Sequence, residues 1–268
     1  MKCKICGSDS DLFGEAIVLE KHRACFYRCR DCGFIQVQDP HWLAEAYDEA
    51  ITKSDIGLAG RNFKRSRQTG QLLTACFDAG GRFVDFGGGY GLFVRLMRDQ
   101  GFDFYRYDPL CPNLFADRFD ADPDAAYDLL TAWEVFEHLE DPLAEIEKMA
   151  SLSRTLFFST NLLPRTPRNL DDWWYYGLEH GQHISFYSER TLQVIAGTFG
   201  LQLGYSNGFL HLLSDRAMPP LRLKIALENR YRWLRRFVAG SSRRSLLEMD
   251  HAMVSGVGSK KPGDPGAG

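Results

Sequence analysis

The middle of the chain alternates between two hydrophobic patterns, short apolar runs and longer segments with helical spacing. The apolar runs predict strands at residues 82–86, 102–107, 115–120, 127–132 and 154–160. The segments with helical spacing predict helices at residues 90–100, 142–152 and 189–199. Because strands and helices alternate, we expect a mainly parallel α/β sheet with helices on both faces.

Turn and capping residues mark where some of these elements begin and end. Asp141 followed by Pro142 is typical of a helix N-terminus, where the carboxylate caps free N–H groups and proline lacks one. The pair Asn207-Gly208 separates two further apolar runs and is a strong signal for a β-hairpin. The hairpin strands are predicted at 201–206 and 209–214, so the sheet should end in an antiparallel pair.

Four cysteines near the N-terminus form two matched Cys-x-x-Cys-Gly motifs, with a predicted β-hairpin between them. They are Cys3, Cys6, Cys29 and Cys32. Each tight turn directs two thiolates to one point, so the pair of motifs supplies four sulfurs, as in a closed structural Zn²⁺ site. A rubredoxin-like iron site and a redox dithiol are the alternatives. Because protein fills all four positions, we expect a scaffold and no direct part in catalysis.

Composition and motifs divide the chain into five predicted parts. They are a zinc ribbon at 1–38, a helical linker or lid at 39–80, the α/β domain at 81–214, a basic amphipathic helix region at 215–254 and a disordered tail at 255–268. Within the lid, a break in the helical pattern is predicted at 56–60. Within the α/β domain, residues 161–187 form a long loop after a strand, at the edge where open α/β sheets bind ligands.

A glycine-rich turn follows the first predicted strand of the α/β domain. Asp85 ends the strand, and the glycines after it are Gly87, Gly88, Gly89 and Gly91. Glycine has no Cβ, so a ligand can lie against the main chain there, and the following helix offers free N–H groups. The turn therefore predicts a site for a flat, polar ligand, and the rest of the sequence indicates that this ligand is a nucleoside.

Over residues 80–214 the sequence resembles the class I S-adenosylmethionine (SAM)-dependent methyltransferases, with their Rossmann-like sheet and antiparallel final strand. The glycine turn resembles the family's loop against the amino-acid end of SAM. Asp108 and Pro109, after the second strand, match the acidic motif that binds the ribose hydroxyls. Residues 127–139, which include Trp133 and Glu134, match the family's fourth-strand motif. The resemblance implies SAM as the cofactor.

A narrower resemblance links the ribbon and the segment from His183 to Leu192 to methyltransferases that modify nucleotide-linked sugars and related metabolites. In those enzymes a histidine after the fifth strand faces the substrate, so His183 is the first candidate for a catalytic base. His180 and Glu179 are weaker candidates. The sugar C-methyltransferases of that group continue into a further C-terminal domain, and this sequence ends soon after the hairpin. That difference favours O-methylation.

Candidate substrate residues come from the long loop and from the lid. In the loop, aromatic side chains beside carboxylates suit a sugar ring or a planar acceptor, or they close the core beneath the loop. They are Trp173, Trp174, Tyr175 and Tyr176. In the lid, Tyr47, Arg61 and Asn62 are candidates because helices at this point cover the cofactor cleft in this fold, although they also suit a solvated helix face.

A magnesium site is a less favoured alternative. Glu134, Glu137 and His138 resemble the Mg²⁺-binding set of some O-methyltransferases with the same fold. A divalent ion there would lower the pKa of an acceptor hydroxyl. Many relatives carry Glu-His at this point without metal, as a cap and a hydrogen-bonding brace.

Charge and hydropathy limit the partners. The formal net charge of −3 argues against a general nucleic-acid binder and favours a small-molecule substrate. An RNA methyltransferase gripping RNA through its ribbon, and a non-catalytic SAM-binding assembly protein, remain the alternatives. Residues 221–244 interleave arginines with apolar residues, which favours docking on the same domain or in a homodimer over contact with an anionic membrane. Lacking a long apolar run, the chain is expected to be cytoplasmic.

Overall fold

The computed structural model describes residues 1–47, 56–78, 80–166, 169–238 and 243–255. The strands are β1 (Ser10–Val18), β2 (His22–Cys29), β3 (Ile35–Val37), β4 (Arg82–Phe86), β5 (Asp103–Tyr107), β6 (Leu129–Ala132), β7 (Thr155–Ser159), β8 (Ser185–Phe186), β9 (Gln202–Ser206) and β10 (Leu210–Ser214). The α-helices are α1 (Leu43–Ala46), α2 (Leu58–Cys76), α3 (Leu92–Asp99), α4 (Pro142–Leu152), α5 (Glu189–Thr198), α6 (Pro220–Leu227), α7 (Arg235–Val238) and α8 (Leu247–Ser255).

The central sheet has the strand order β5-β4-β6-β7-β10-β9. The first four strands are parallel, and β10 is antiparallel to both β7 and β9. Asn207 stabilises the final turn because its side-chain oxygen accepts a hydrogen bond of 2.7 Å from the Leu210 N–H. The parallel α/β sheet with an antiparallel final hairpin is therefore confirmed.

Local signals account for the positions of the helices that follow β6 and β8. Asp141 caps α4 by accepting a hydrogen bond from the Ala144 N–H, with Pro142 in the first turn. Ser188 and Thr191 form a reciprocal capping box at the start of α5. Capping residues of this kind stabilise a helix by about 1 kcal/mol each and fix where it begins.

The predicted break at 56–60 overlaps a turn at residues 56 and 57, and α2 begins directly after it at Leu58. One predicted strand of the α/β part is wrong. Residues 115–120 form no strand, and a single bridge joins Asp120 to Arg106. There Asn113 accepts from the Ala116 N–H and turns the chain instead.

The N-terminal part forms a second sheet with the order β1-β2-β3-β8, in which neighbouring strands are antiparallel. The first three strands belong to the predicted ribbon. The fourth, β8, comes from the long loop predicted at 161–187, and its Phe186 pairs with Ile35 of β3. The ribbon is thus joined by main-chain hydrogen bonds to the segment that carries His183.

The C-terminal region is a series of short helices and not one amphipathic helix. The buried residues Leu223, Ala226 and Leu227 of α6 pack into the same core cluster as α2, which agrees with docking on the chain's own domain. Asp250 of α8 forms a buried, two-pronged ion pair with Arg98 of α3. Among the described helices none is both long and apolar enough to cross a bilayer. The tail from residue 256 onward lies outside the described residues.

Candidate active site

The glycine turn after β4 forms an open cradle at the carboxyl edge of the central sheet. Gly89 has a φ of +53°, and no atom lies within 4 Å of the position that a Cβ would take. Gly91 caps α3 with a φ of +86°, and a Cβ there would lie 2.7 Å from the Asn113 side chain. Side chains are therefore disfavoured at both positions, and the main chain beside Gly89 is open to a ligand.

Asp85 lies beneath this turn, inside the protein. Its side chain is buried, and Oδ1 accepts a hydrogen bond of 2.6 Å from the Thr131 hydroxyl. Burial raises the pKa of Asp85 to about 8, although the hydrogen bond from Thr131 acts in the opposite direction. A Cβ on Gly88 would lie 3.0 Å from its Oδ2, so Asp85 supports the turn from below.

Asp108 follows β5 and ties the glycine turn to the next loop. Its Oδ2 accepts a hydrogen bond of 2.7 Å from the Gly89 N–H, and its Oδ1 accepts from the Leu110 and Cys111 N–H groups. Pro109 beside it is exposed. Since a carboxylate offers about four acceptor positions, one position on Oδ2 is open to a ribose hydroxyl. The two-hydroxyl grip expected from the sequence would need one of these backbone bonds to open.

Trp133 and Glu134 follow β6, next to the glycine turn. The side chain of Val135, the next residue, lies 2.8 Å from the position that a Cβ on Gly87 would take. Glu134 has a φ of +54°, and its carboxylate accepts from the Ser159 hydroxyl at 2.7 Å. Among the described residues, the buried Trp133 Nε1 has no hydrogen-bond acceptor. A donor of this kind needs an acceptor from water or a ligand.

Arg65 of α2 is a residue that the sequence analysis missed. It is buried, and its guanidinium carbon lies 5.7 Å from the Trp133 ring and 4.5 Å from the Phe209 ring. Its Nη1 donates to the Gln68 side chain at 2.7 Å. No described carboxylate lies within ion-pair distance of it. Helical spacing could have suggested it, since it lies one turn after Arg61, but its burial is a product of tertiary packing.

A cluster of imidazole and carboxylate groups lies a few residues beyond Trp133. Glu137, His138 and His183 each offer a ligand atom within 4.8 Å of the others. Burial raises the pKa of Glu137 to about 8 and lowers the pKa of His138 to about 4 and of His183 to about 3. The centroids of the His180 and His183 rings are 4.7 Å apart. Glu179, by contrast, is exposed.

The aromatic residues of the long loop separate into buried and exposed members. Tyr176 is buried against Phe26 and Phe186 of the ribbon sheet, and Tyr175 is buried with its hydroxyl 3.2 Å from that of Thr160. Trp173 is half-buried beside both tyrosines. Trp174, by contrast, is 75% exposed. Packing beneath the loop therefore accounts for the two tyrosines, and Trp174 is the ring open to a partner.

The lid candidates lie at two places. The Tyr47 hydroxyl is 2.9 Å from His138 Nδ1, so Tyr47 belongs to the histidine cluster. Arg61 and Asn62 are half-buried on α2, and the Asn62 side chain donates to the Leu58 carbonyl at 2.9 Å. Asn62 thus makes a bond within its own helix.

The four N-terminal cysteines come together as predicted. Cys3 Sγ lies 3.6 Å from Cys32 Sγ, and Cys6 Sγ lies 3.4 Å from Cys29 Sγ, with all four sulfurs within 4.8 Å of one another. Cys25 is outside the cluster. Four convergent thiols are the donor set of a closed tetrahedral metal site.

Hydrogen bonds connect this cysteine site to the histidine cluster. The carbonyl of Cys32 accepts bonds from the Ser188 and Thr191 hydroxyls. Beyond Cys32, β3 pairs with β8, and the Ile184 N–H donates to the Glu137 carbonyl at 2.9 Å. Because Ile184 follows His183 directly, the ribbon helps to fix the position of His183 beside Glu137 and His138.

A parallel sheet closed by an antiparallel hairpin, with a glycine turn after β4 and an acid after β5, is the architecture of class I SAM-dependent methyltransferases. A family of methyltransferase domains matches residues 60–205, more than half of the 268-residue chain. The chain belongs to this family of methyltransferase domains. No curated protein sequence gives a significant match.

Several solved methyltransferase structures are similar at low identity. Mitomycin 7-O-methyltransferase is 17% identical with a TM-score of 0.42, over 64% of this chain and 59% of that chain. Magnesium protoporphyrin IX methyltransferase from Synechocystis PCC 6803 is 19% identical with a TM-score of 0.41, over 65% and 91%. An O-methyltransferase family 2 protein from Planctomyces limnophilus DSM 3776 is 16% identical with a TM-score of 0.46, over 66% of each chain. The chain thus spans 59% of the first of these proteins.

Proposed function

We propose that the protein transfers the methyl group of SAM to a hydroxyl oxygen of a sugar, a glycan precursor or a related small metabolite. The observation that carries this proposal is the proximity of two features at one edge of the sheet. They are the open glycine cradle and the cluster of Glu137, His138 and His183, joined by Val135, which packs on Gly87. A hydroxyl acceptor needs its proton removed, and this cluster supplies the groups for that task.

The residues around the cradle fit SAM. The open space at Gly89 leaves room for the ligand against the main chain, and Asp108 keeps an acceptor position for a ribose hydroxyl. Trp133, whose indole N–H has no acceptor in the described part of the chain, and Arg65 line the same region. When bound, SAM supplies a methyl group activated by a sulfonium. The chain's own part is to orient the acceptor and to exclude water.

We further propose that the cysteine site holds Zn²⁺. The thiol donors fit Zn²⁺ and also fit iron, so metal analysis decides between them. In either case the four ligands fill the coordination sphere and leave no open position for a substrate. The site would act by holding the ribbon folded.

The acceptor class rests on the loop and on charge. Trp174, in the long loop that carries His183, offers an exposed ring, which suits stacking against a sugar. The net charge of −3 disfavours RNA as the substrate. Contact with a membrane through residues 221–244 and formation of a homodimer remain open proposals for the same enzyme.

The proposed function predicts that purified protein forms S-adenosylhomocysteine from SAM only when a hydroxylated small molecule is added. The test is a panel of sugar nucleotides, free sugars and phenols, with tRNA and rRNA as further acceptors. His183→Ala should lower turnover with little change in SAM affinity, because His183 lies outside the cradle. Methylation of RNA alone would favour the RNA methyltransferase, and SAM binding without any turnover would favour the assembly protein.

A second prediction concerns Arg65, which we propose binds the carboxylate of SAM. Arg65→Met should weaken SAM binding by about tenfold to 100-fold, since a hydrogen bond to a charged group contributes about 1.5–3 kcal/mol. Methylthioadenosine has the same nucleoside but no carboxylate, so its affinity should stay within about twofold. Calorimetry with both ligands measures the difference.

The matched control for Arg65 is Arg61→Met, one helical turn away on the same helix. It should leave the affinity ratio of the two ligands unchanged. Equal weakening of SAM and methylthioadenosine by Arg65→Met would assign Arg65 to packing against Trp133 and would contradict the carboxylate contact.

A further inference from the structure

Glu137 is a buried acid that lies beside two histidines. Its side chain is fully buried, and neither carboxyl oxygen has a partner within strict hydrogen-bond distance among the described residues, although the Tyr175 and Thr160 hydroxyls lie nearby. Leaving a buried polar group unpaired costs about 1–3 kcal/mol, and more for a charged group. A buried carboxylate of this kind therefore indicates a ligand, an ion or water at its oxygens.

The two histidines beside it are oriented by their Nδ1 atoms. His183 Nδ1 lies 2.6 Å from the Tyr175 carbonyl, and His138 Nδ1 lies 3.1 Å from the Gln182 carbonyl. A carbonyl only accepts, so each Nδ1 carries the proton and each Nε2 keeps a lone pair. The Tyr47 hydroxyl, 2.9 Å from His138 Nδ1, then acts as a second acceptor for that proton. Neither Nε2 bonds to a described side chain or backbone group. Imidazoles that donate Nδ1–H to a carbonyl are the usual form of histidine metal ligands.

The main chain holds these three residues in register. Glu137 and His138 lie on a single 3-10 turn after β6, and His183 comes two residues before β8. The Ile184 N–H bonds to the Glu137 carbonyl, which joins the two segments directly. The three donor groups come within 4.8 Å of one another, a separation that a small movement of side chains would close around an ion.

We propose that Glu137, His138 and His183 bind one divalent transition-metal ion, and that this ion takes the hydroxyl oxygen of the acceptor as a further ligand. Two imidazoles and one carboxylate suit Zn²⁺, Fe²⁺, Co²⁺ or Mn²⁺ better than Mg²⁺, which prefers oxygen ligands. Three protein ligands leave open positions, as catalytic metal sites require. This ligand set differs from the set of Glu134, Glu137 and His138 predicted from the sequence. Glu134 instead accepts a hydrogen bond from Ser159, and His183 is the third ligand.

This inference rests on the proposed function and gives the cluster its role there. The ion lowers the pKa of the acceptor hydroxyl, and the proton leaves to water. The oxygen then attacks the methyl carbon, the carbon–sulfur bond breaks, and sulfur keeps the electron pair as the thioether of S-adenosylhomocysteine. His183 is then a metal ligand and no longer the base.

The test is a titration of the full chain, with metal already bound at the cysteine site, using Co²⁺ as the probe. We expect one Co²⁺ per chain, with the weak visible absorption of nitrogen and oxygen ligands and no new thiolate charge-transfer band. Glu137→Gln and His183→Ala should lose this ion, and Glu134→Gln should keep it. SAM affinity, measured on each variant, reports whether the α/β domain is folded.

The proposal is overturned if the wild-type chain takes up no Co²⁺ beyond the cysteine site, or if uptake survives both substitutions. The outcome for the proposed function is separate. Methylation of an acceptor by protein without this ion would leave the function intact and remove the metal. Binding of Co²⁺ through these residues without methylation of any acceptor would support the metal site and contradict the proposed function.

Discussion

Asp108→Ala is expected to weaken SAM binding by about 100-fold or more while the α/β domain stays folded. The substitution removes the acceptor for the ribose and also releases the Gly89, Leu110 and Cys111 N–H groups, so the cradle loses its fixed shape. The lost charge-assisted hydrogen bond to the ribose contributes about 1.5–3 kcal/mol, and the loss of the cradle's shape adds to it, so the combined effect is expected to reach a factor of about 100. Calorimetry with SAM measures the change, and circular dichroism reports folding.

Two comparisons make this prediction specific. Asp117→Ala removes an exposed carboxylate from the same loop and should leave SAM affinity unchanged. Methylthioadenosine has the ribose, so Asp108→Ala should weaken its binding about as much as the binding of SAM. Arg65→Met, in contrast, should weaken only the binding of SAM. A folded Asp108→Ala protein with near-normal affinity for both ligands would show that the ribose lies elsewhere.

Cys29→Ser is expected to remove the metal of the ribbon and to lower turnover by about 100-fold, with SAM affinity kept within about threefold. The reason is the path from the cysteine site through β3 and β8 to His183. A displacement of about 1 Å in a positioned group can cost a factor of about 100 in rate. The cradle is built from β4 and β5, which have no strand contact with the ribbon sheet.

Cys25→Ser is the matched control, since Cys25 lies on β2 but outside the four-sulfur cluster. It should keep both the metal and the turnover. Metal content by mass spectrometry and initial rates with the best acceptor test the pair. Full turnover in a metal-free Cys29→Ser protein would separate the ribbon from the active site and contradict its positioning role.

Local signals allowed the sequence to predict much of the central sheet. The strand Arg82–Phe86 and the helix Pro142–Leu152 have the predicted bounds, because an apolar run and an Asp-Pro cap act within a few residues. The Asn-Gly hairpin and the cysteine motifs are likewise local. In each case the physical cause lies inside the segment, so no knowledge of distant residues was needed.

The features that the sequence did not predict depend on residues far apart in the chain. The strand β8 has only two residues, too few for a period, and it exists because β3 lies beside it. That pairing brings His183 to Glu137. The burial of Arg65 likewise depends on Phe209 and Trp133, which the sequence does not connect to α2.

Aromatic residues illustrate the same limit for the candidate site. Tyr175 and Tyr176 stand next to Trp173 and Trp174, and one composition fits both a sugar site and a core. The structure buries the two tyrosines against the ribbon sheet and leaves Trp174 exposed. Hydrophobicity alone fits all four residues equally well to a sugar site or to a core. The pairing of the loop with the ribbon sheet is what separates the two roles.

The central claim is that the cradle between β4 and β5 binds SAM, and a crystal structure with S-adenosylhomocysteine tests it most directly. We expect a ribose hydroxyl within hydrogen-bond distance of Asp108, and the amino-acid end along Gly87–Gly91 with its carboxylate at Arg65. Density for the ligand at another place, or an empty cradle at saturating ligand, would contradict the claim.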